Sequence, residues 1–176
     1  MANKEALREL QTRLADRLQQ ARSQERVKSW LAVESGARGF LFPLSEAGEI
    51  FPMSFMAAVP HSQPWFMGVA NLRGHLHGVV DLSGFLGIKV ASRGEASREQ
   101  ARLIAFSGSL DINCALLVDR LAGLRNAGQL QVEAANNGQA LPAFVGQRFR
   151  DEAGRVWQEL RLSALAQDEA FLKIVG

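Results

Sequence analysis

The sequence predicts a mainly β domain over residues 35–176, preceded by a helical extension over residues 1–34 and closed by a C-terminal helix. Three observations carry this reading. Leu7, Leu10, Leu14, Leu18 and Ala21 recur at helical spacing, and no Gly or Pro occurs before Gly36. From Gly36 onward, Gly and Pro punctuate short runs rich in Val, Ile, Phe and Leu, the pattern of short strands. Finally, Ser163–Val175 returns to helical spacing, with Leu165, Phe171, Leu172 and Val175 apolar and Ser163 as its cap.

Taken in order, the first thirty residues read as one helix with Asn3 as its cap. Its leucine stripe is narrow, one per turn, which suits packing on another helix or on the side of the body. Val27, Trp30 and Leu31 are expected to anchor the end of this helix to the domain. Strands are expected at 39–44, 49–58, 66–71, 76–80, 102–106, 112–118 and 155–162. Turn chemistry at Ser45–Gly48, Ser107–Asp111 and Asp151–Gly154 predicts hairpins. A short helix is expected at Asp81–Leu86. The polar segment Asn126–Ala143, with Asn136, Asn137 and Gly138, reads mostly as loop. Gly78–Leu86 and Leu116–Leu124 echo each other, an apolar strand running into an aspartate and a turn; duplication of a small barrel and a chance match account for this equally well.

Composition excludes several classes. With 47% hydrophobic residues and a net charge of +2, the chain can bury a core and is not a disordered segment. A single cysteine, Cys114, excludes a disulfide scaffold and an all-cysteine zinc site. The longest uncharged stretch, Ile50–Leu72, contains Pro52, Pro60 and Pro64 among polar residues, so no membrane-inserted helix is expected. The first twenty residues lack the apolar core of a secretory signal, and the cytoplasm is the expected compartment. The pI near 9.1 suggests a nucleic-acid-binding small barrel. Locating the charge opposes it: residues 1–28 hold seven basic and four acidic side chains, leaving 13 basic and 14 acidic in the other 148 residues.

Catalytic chemistry finds little support. His75 and His77 share a strand face with His61 upstream, but a third ligand for zinc or iron is missing, and two surface histidines are the simpler reading. Cys114 shares its face with Ile112, Leu116 and Val118, as a core residue does. No nucleophile elbow, phosphate-binding loop or zincin motif occurs. Neither cofactor nor metal is expected. Between Glu49 and Lys89 only Arg73 and Asp81 are ionised. A straight strand would hold these two about 25 Å apart, so they are not expected to pair. Asp81 reads as the cap of the short helix. Asn71 and Gly74 favour a turn presenting Arg73 outward, either as a structural partner or as the polar anchor of an interface.

The run Val59-Pro60, Pro64 to Gly74 (Pro-Trp-Phe-Met-Gly-Val-Ala-Asn-Leu-Arg-Gly) and Val79-Val80-Asp81-Leu82 resembles the central signature of the CheW-like coupling proteins of bacterial chemosensory systems. Weaker similarity continues through Ala115–Leu124 and Val145–Leu165, so that it covers residues 36–170. The resemblance implies a fold of two small SH3-like β-barrels with a C-terminal helix. It further implies a non-enzymatic adaptor that binds the regulatory domain of a CheA-type histidine kinase and the cytoplasmic tip of a chemoreceptor, recruited to membrane-bound receptor arrays. By position, Arg73 matches the arginine associated with receptor coupling. Asn71, Leu72 and Gly74 hold its turn, and Phe55 and Met56 lie near the apolar receptor groove; the kinase-facing residues do not carry over. The segment before Val59 is shorter than usual, Gly78 replaces a proline, Ser83 replaces an arginine, and the charged helix at residues 1–33 is additional. These departures imply a specialised paralogue, of the kind serving twitching-motility (type IV pilus) systems, with the general chemotaxis adaptor as the alternative.

Overall fold

The computed structural model describes residues 2–24, 27–90, 94–134, 138 and 140–176, and within the N-terminal helix the side chains of residues 8–19. In chain order the elements are α1 (Ala2–Gln24), β1 (Ser29–Ser35), β2 (Arg38–Pro43), β3 (Ala47–Pro52), β4 (Phe66–Leu72), β5 (His75–Asp81), α2 (Leu82–Phe85), α3 (Glu95–Gln100) and β6 (Arg102–Phe106). There follow β7 (Cys114–Val118), β8 (Arg120–Asn126), β9 (Leu130–Val132), β10 (Val145–Asp151), β11 (Val156–Leu160), α4 (Leu162–Leu165) and α5 (Glu169–Leu172).

Two sheets are built on one plan. In the first, the hairpins β1–β2 and β10–β11 join through parallel pairing of β2 with β11; β8 adds to β1 and β9 to β10. In the second, β4–β5 and β6–β7 join through parallel pairing of β5 with β7, and β3 adds to β6. The second sheet is thus inserted between the two hairpins of the first. The two ends of each sheet are connected, by a covalent turn in the first and by backbone pairing in the second. In the first, the outer strands β8 and β9 are linked by one 3₁₀ turn, Ala127–Gln129. There the Gly128 N–H donates to Asn126 Oδ1 (3.0 Å) and the Asn126 N–H to Gln129 Oε1 (3.1 Å). In the second, the chain leaving β3 crosses to the free edge of β4, where Ala57 and Val69 exchange two backbone hydrogen bonds of 2.9 Å. The Ala57–Val69 bridge covers part of the β4 edge, which would otherwise be open to pairing with another strand.

Burial explains why the strands read as unbroken apolar runs. Leu31, Val33, Phe40 and Phe42 of the first sheet meet Val80, Ile104, Phe106, Leu116 and Val118 of the second in a shared core, which α2, α4 and α5 complete with Leu82, Leu162, Leu165 and Phe171. The opposite faces line two separate interiors. Ala70, Leu72, Val79, Leu103, Ala115 and Leu117 fill the second barrel; Trp30, Leu41, Leu130, Phe149 and Trp157 fill the first. A strand buried on both faces shows no period-2 alternation. Each fully buried Leu, Phe or Val contributes roughly 1.5–3 kcal/mol.

Several expectations need correction. Trp30 and Leu31 do not end the N-terminal helix: they lie in β1, which the sequence reading missed. Asn3 falls inside α1, and its side chain, like those of Leu7 and Ala21, lies outside the described set. The turn at Ser45–Gly48 closes no hairpin, because β2 and β3 belong to different sheets. The expected strand 49–58 is two pieces, β3 against β6 and Ala57 against β4, with the switch of partner made after Pro52. The C-terminal helix is two single turns. Ser163 sits within the first, giving its N–H and hydroxyl to the Glu46 carboxylate (3.1 and 2.7 Å), while Asp168 caps the second by accepting from the Phe171 N–H (3.0 Å). Strands β8, β9 and β10 and helix α3 were also missed, β9 inside the segment read mostly as loop; Asn136 and Asn137 lie outside the described residues. The strand portions of the echoed segments lie side by side in one sheet, Val80 opposite Leu116 and Asp81 opposite Leu117, and the second segment then runs on into β8 of the other sheet, so the echo does not mark corresponding strands of two barrels.

A charged cluster ties the strands of the first barrel together. Glu34 of β1 accepts from Arg120 Nε at 2.7 Å and pairs with Arg155. Arg155 in turn lies 4.6 Å over the Trp157 ring. Burial pushes the Glu34 pKa up, but the hydrogen bonds and charges of Arg120 and Arg155 outweigh it and hold the carboxyl below its ordinary value. A carboxyl depressed in the folded state stabilises the fold fully above its unfolded pKa, about 4.3 for glutamate, and that contribution is lost as pH falls through the folded value. Glu34→Gln should therefore melt lower than the parent at neutral pH, and the two melting curves should converge in acid below the folded pKa.

Candidate partner-binding site

Leu72 pairs with His75 across the β4–β5 ladder, leaving Arg73 and Gly74 as a two-residue turn. Their φ angles are +51° and +84°, the signature of a type I′ hairpin, whose twist matches that of the flanking strands. Asn71 Oδ1 accepts the Gly74 N–H at 2.8 Å, and Leu72 anchors the turn by burying its side chain in the second barrel. A Cβ on Gly74 would meet nothing within 4 Å, so glycine serves its dihedral there and not a close contact. Arg73 has no such excuse: it holds a left-handed conformation that favours Gly, Asn or Asp.

The Arg73 side chain is 75% exposed, with Nη2 2.8 Å from Glu49 Oε1 of β3. The two residues face a groove of about 640 Å³ at the mouth of the second barrel, lined also by Phe51, Leu72, His75, His77, Asp111 and Asn113. Glu49 was not among the partners expected for Arg73. The signal available was Glu49's place as the last charge before the neutral stretch. Asp81 stands at the N-cap position of α2, where its carboxylate accepts the Ser83 hydroxyl at 2.9 Å.

Of the six candidate residues, Asn71, Leu72, Arg73 and Gly74 are brought together by the hairpin. Met56 packs with Phe51 against the interior that holds Leu72. Phe55 does not line the groove; it projects from the bend between β3 and the Ala57 bridge and is 88% exposed. His77 Nδ1 lies 3.1 Å from the His75 carbonyl, and among the described residues no three His, Cys, Asp or Glu side chains are placed to hold a metal. Cys114 is buried in the shared core, and burial pushes its thiol up to about 12. It should resist alkylation by iodoacetamide in the folded protein at mildly alkaline pH and react once denaturant is added.

Two barrels on one hairpin plan, with the Asn-Leu-Arg-Gly turn exposed at one of them, agree with the fold expected for a CheW-like coupling protein. The CheW-like domain family model matches residues 29–170, and the chain belongs to that family. The family couples receptors to CheA-type kinases; this chain is accordingly a scaffold protein and not an enzyme. It is 32% identical over 159 residues to Protein PilI of Pseudomonas aeruginosa, covering 86% of this chain and 83% of that one. The fold is similar to that of the scaffolding protein TtCheW from Thermoanaerobacter tengcongensis, with a TM-score of 0.62 at 16% identity over 77% of this chain and 85% of that one. Among the described residues no helix is long and apolar enough to cross a membrane.

Proposed function

We propose that this protein couples the cytoplasmic tip of a chemoreceptor to the regulatory domain of a CheA-type histidine kinase in a type IV pilus (twitching-motility) chemosensory pathway, acting in the cytoplasm at receptor arrays. The similarity to PilI over most of both chains supports the pathway. The observation that carries the site is the exposed Arg73, held in a backbone conformation that local energetics disfavour. Strain of this kind persists where the side chain has work to do. Arg73 is the polar anchor for the receptor tip, Asn71, Leu72 and Gly74 hold it in place, and Met56 and Phe55 supply the neighbouring apolar contact.

Titration calorimetry with a purified receptor tip and a purified kinase regulatory domain tests this. Both should bind the parent. Glu49→Gln, which frees Arg73 from its ion pair, should retain receptor-tip binding. Failure of both partners to bind would overturn the reading.

A further inference from the structure

The side chains of Leu10, Leu14 and Leu18 on α1 are 59%, 53% and 62% exposed, and none of them joins any of the three apolar clusters. At about 100° per residue they form a seam about 80° wide, narrow as in a coiled coil and without the broad aromatic-bearing face of a helix lying on a membrane. The charges around it are sorted. Arg17 and Arg13 border one side of the seam at about 60° and 100° from Leu14 and Arg8 lies about 120° away on the other side, whereas Glu9 and Asp16 lie farthest from it, about 140–160° away. Arg13 reaches back to Glu9 at 3.6 Å, with both side chains exposed, a pair too weak to occupy it.

This pattern disfavours a second copy. Pairing antiparallel about Leu14 sets Arg17 of one helix beside Arg13 of the other, and pairing parallel in the Leu10–Leu14 register sets Arg17 against its own copy. We infer that α1 is a docking helix for a partner helix whose apolar seam is bordered by acidic side chains, which would answer both the leucines and the arginines. The inference stands apart from the assignment of Arg73, since α1 lies outside the family match at residues 29–170.

The test uses the full chain and two synthetic helical peptides with identical leucine seams, one bordered by glutamates and the other by lysines. The Glu-bordered peptide should bind, more weakly as salt rises, and the Lys-bordered peptide should bind about tenfold more weakly or worse. An R13E/R17E double variant should reverse this preference, and Leu14→Ala, at an exposed position, should weaken binding without lowering the melting temperature. Equal binding of the two peptides, binding only to vesicles of anionic lipid, or a concentration-dependent dimer lost in Leu14→Ala would each overturn the inference.

Discussion

An Arg73→Asn variant is expected to melt slightly above the parent and to lose the receptor tip. Asn-Gly is the preferred pair for a type I′ turn, and relieving the left-handed arginine should return roughly 0.5–1 kcal/mol. The exposed Arg73–Glu49 pair offsets a few tenths of this. The net gain corresponds to a rise of about 1–2 °C for a chain of this size. Binding should move the other way, weakening about 30-fold or more, because arginine anchors at interface centres contribute about 2 kcal/mol or more. A purely structural arginine would give the opposite pair of results, a lower melting temperature with binding retained.

The second large effect concerns the closure of the second barrel. Gly68 has φ +125°, and a Cβ there would stand 2.2 Å from the Ala57 carbonyl oxygen and 2.8 Å from its carbon. Both atoms are backbone, so no side chain can swing aside. Gly68→Ala must push the 53–57 segment off β4, breaking the Ala57–Val69 bridge, at a cost of about 3 kcal/mol or more. Gly74→Ala provides the control: its φ is also positive but its surroundings are open, so only the dihedral cost of about 1 kcal/mol applies. Denaturant unfolding should rank the two in that order, and amide exchange at Ala57 and Val69 should accelerate in the first variant alone. Equal costs would mean that the close approach does not matter to stability.

How much of this was legible depends on how each residue spends its side chain. Strands β2, β4, β5, β6 and β7 could be read because their residues are apolar on one or both faces and bounded by Gly, Pro or turn pairs. Strand β10 could not: of Val145–Asp151 only Phe149 is buried, and Arg150 beside it pairs with Glu133 on the outside. Strand β1 was lost because Trp30 and Leu31 continue the apolar content of α1 across an unmarked boundary. The hairpin presenting Arg73 was fully legible, since Asn71 and Gly74 specify a tight turn by local chemistry. Its ion-pair partner was not, since Glu49 reaches it only after the sheet has rolled up. Closure itself, through Ala57 on β4 and the corner at Asn126–Gln129, is a long-range consequence that no periodicity records.

Receptor state is expected to reach the kinase through this protein. Autophosphorylation of the CheA-type kinase, measured in membranes carrying the pilus-system receptor, tests that most directly. The receptor should alter kinase activity only when this protein is added, and Arg73→Asn, though folded and stable, should fail to restore the coupling. Receptor control of the kinase that is the same with and without the protein would contradict it.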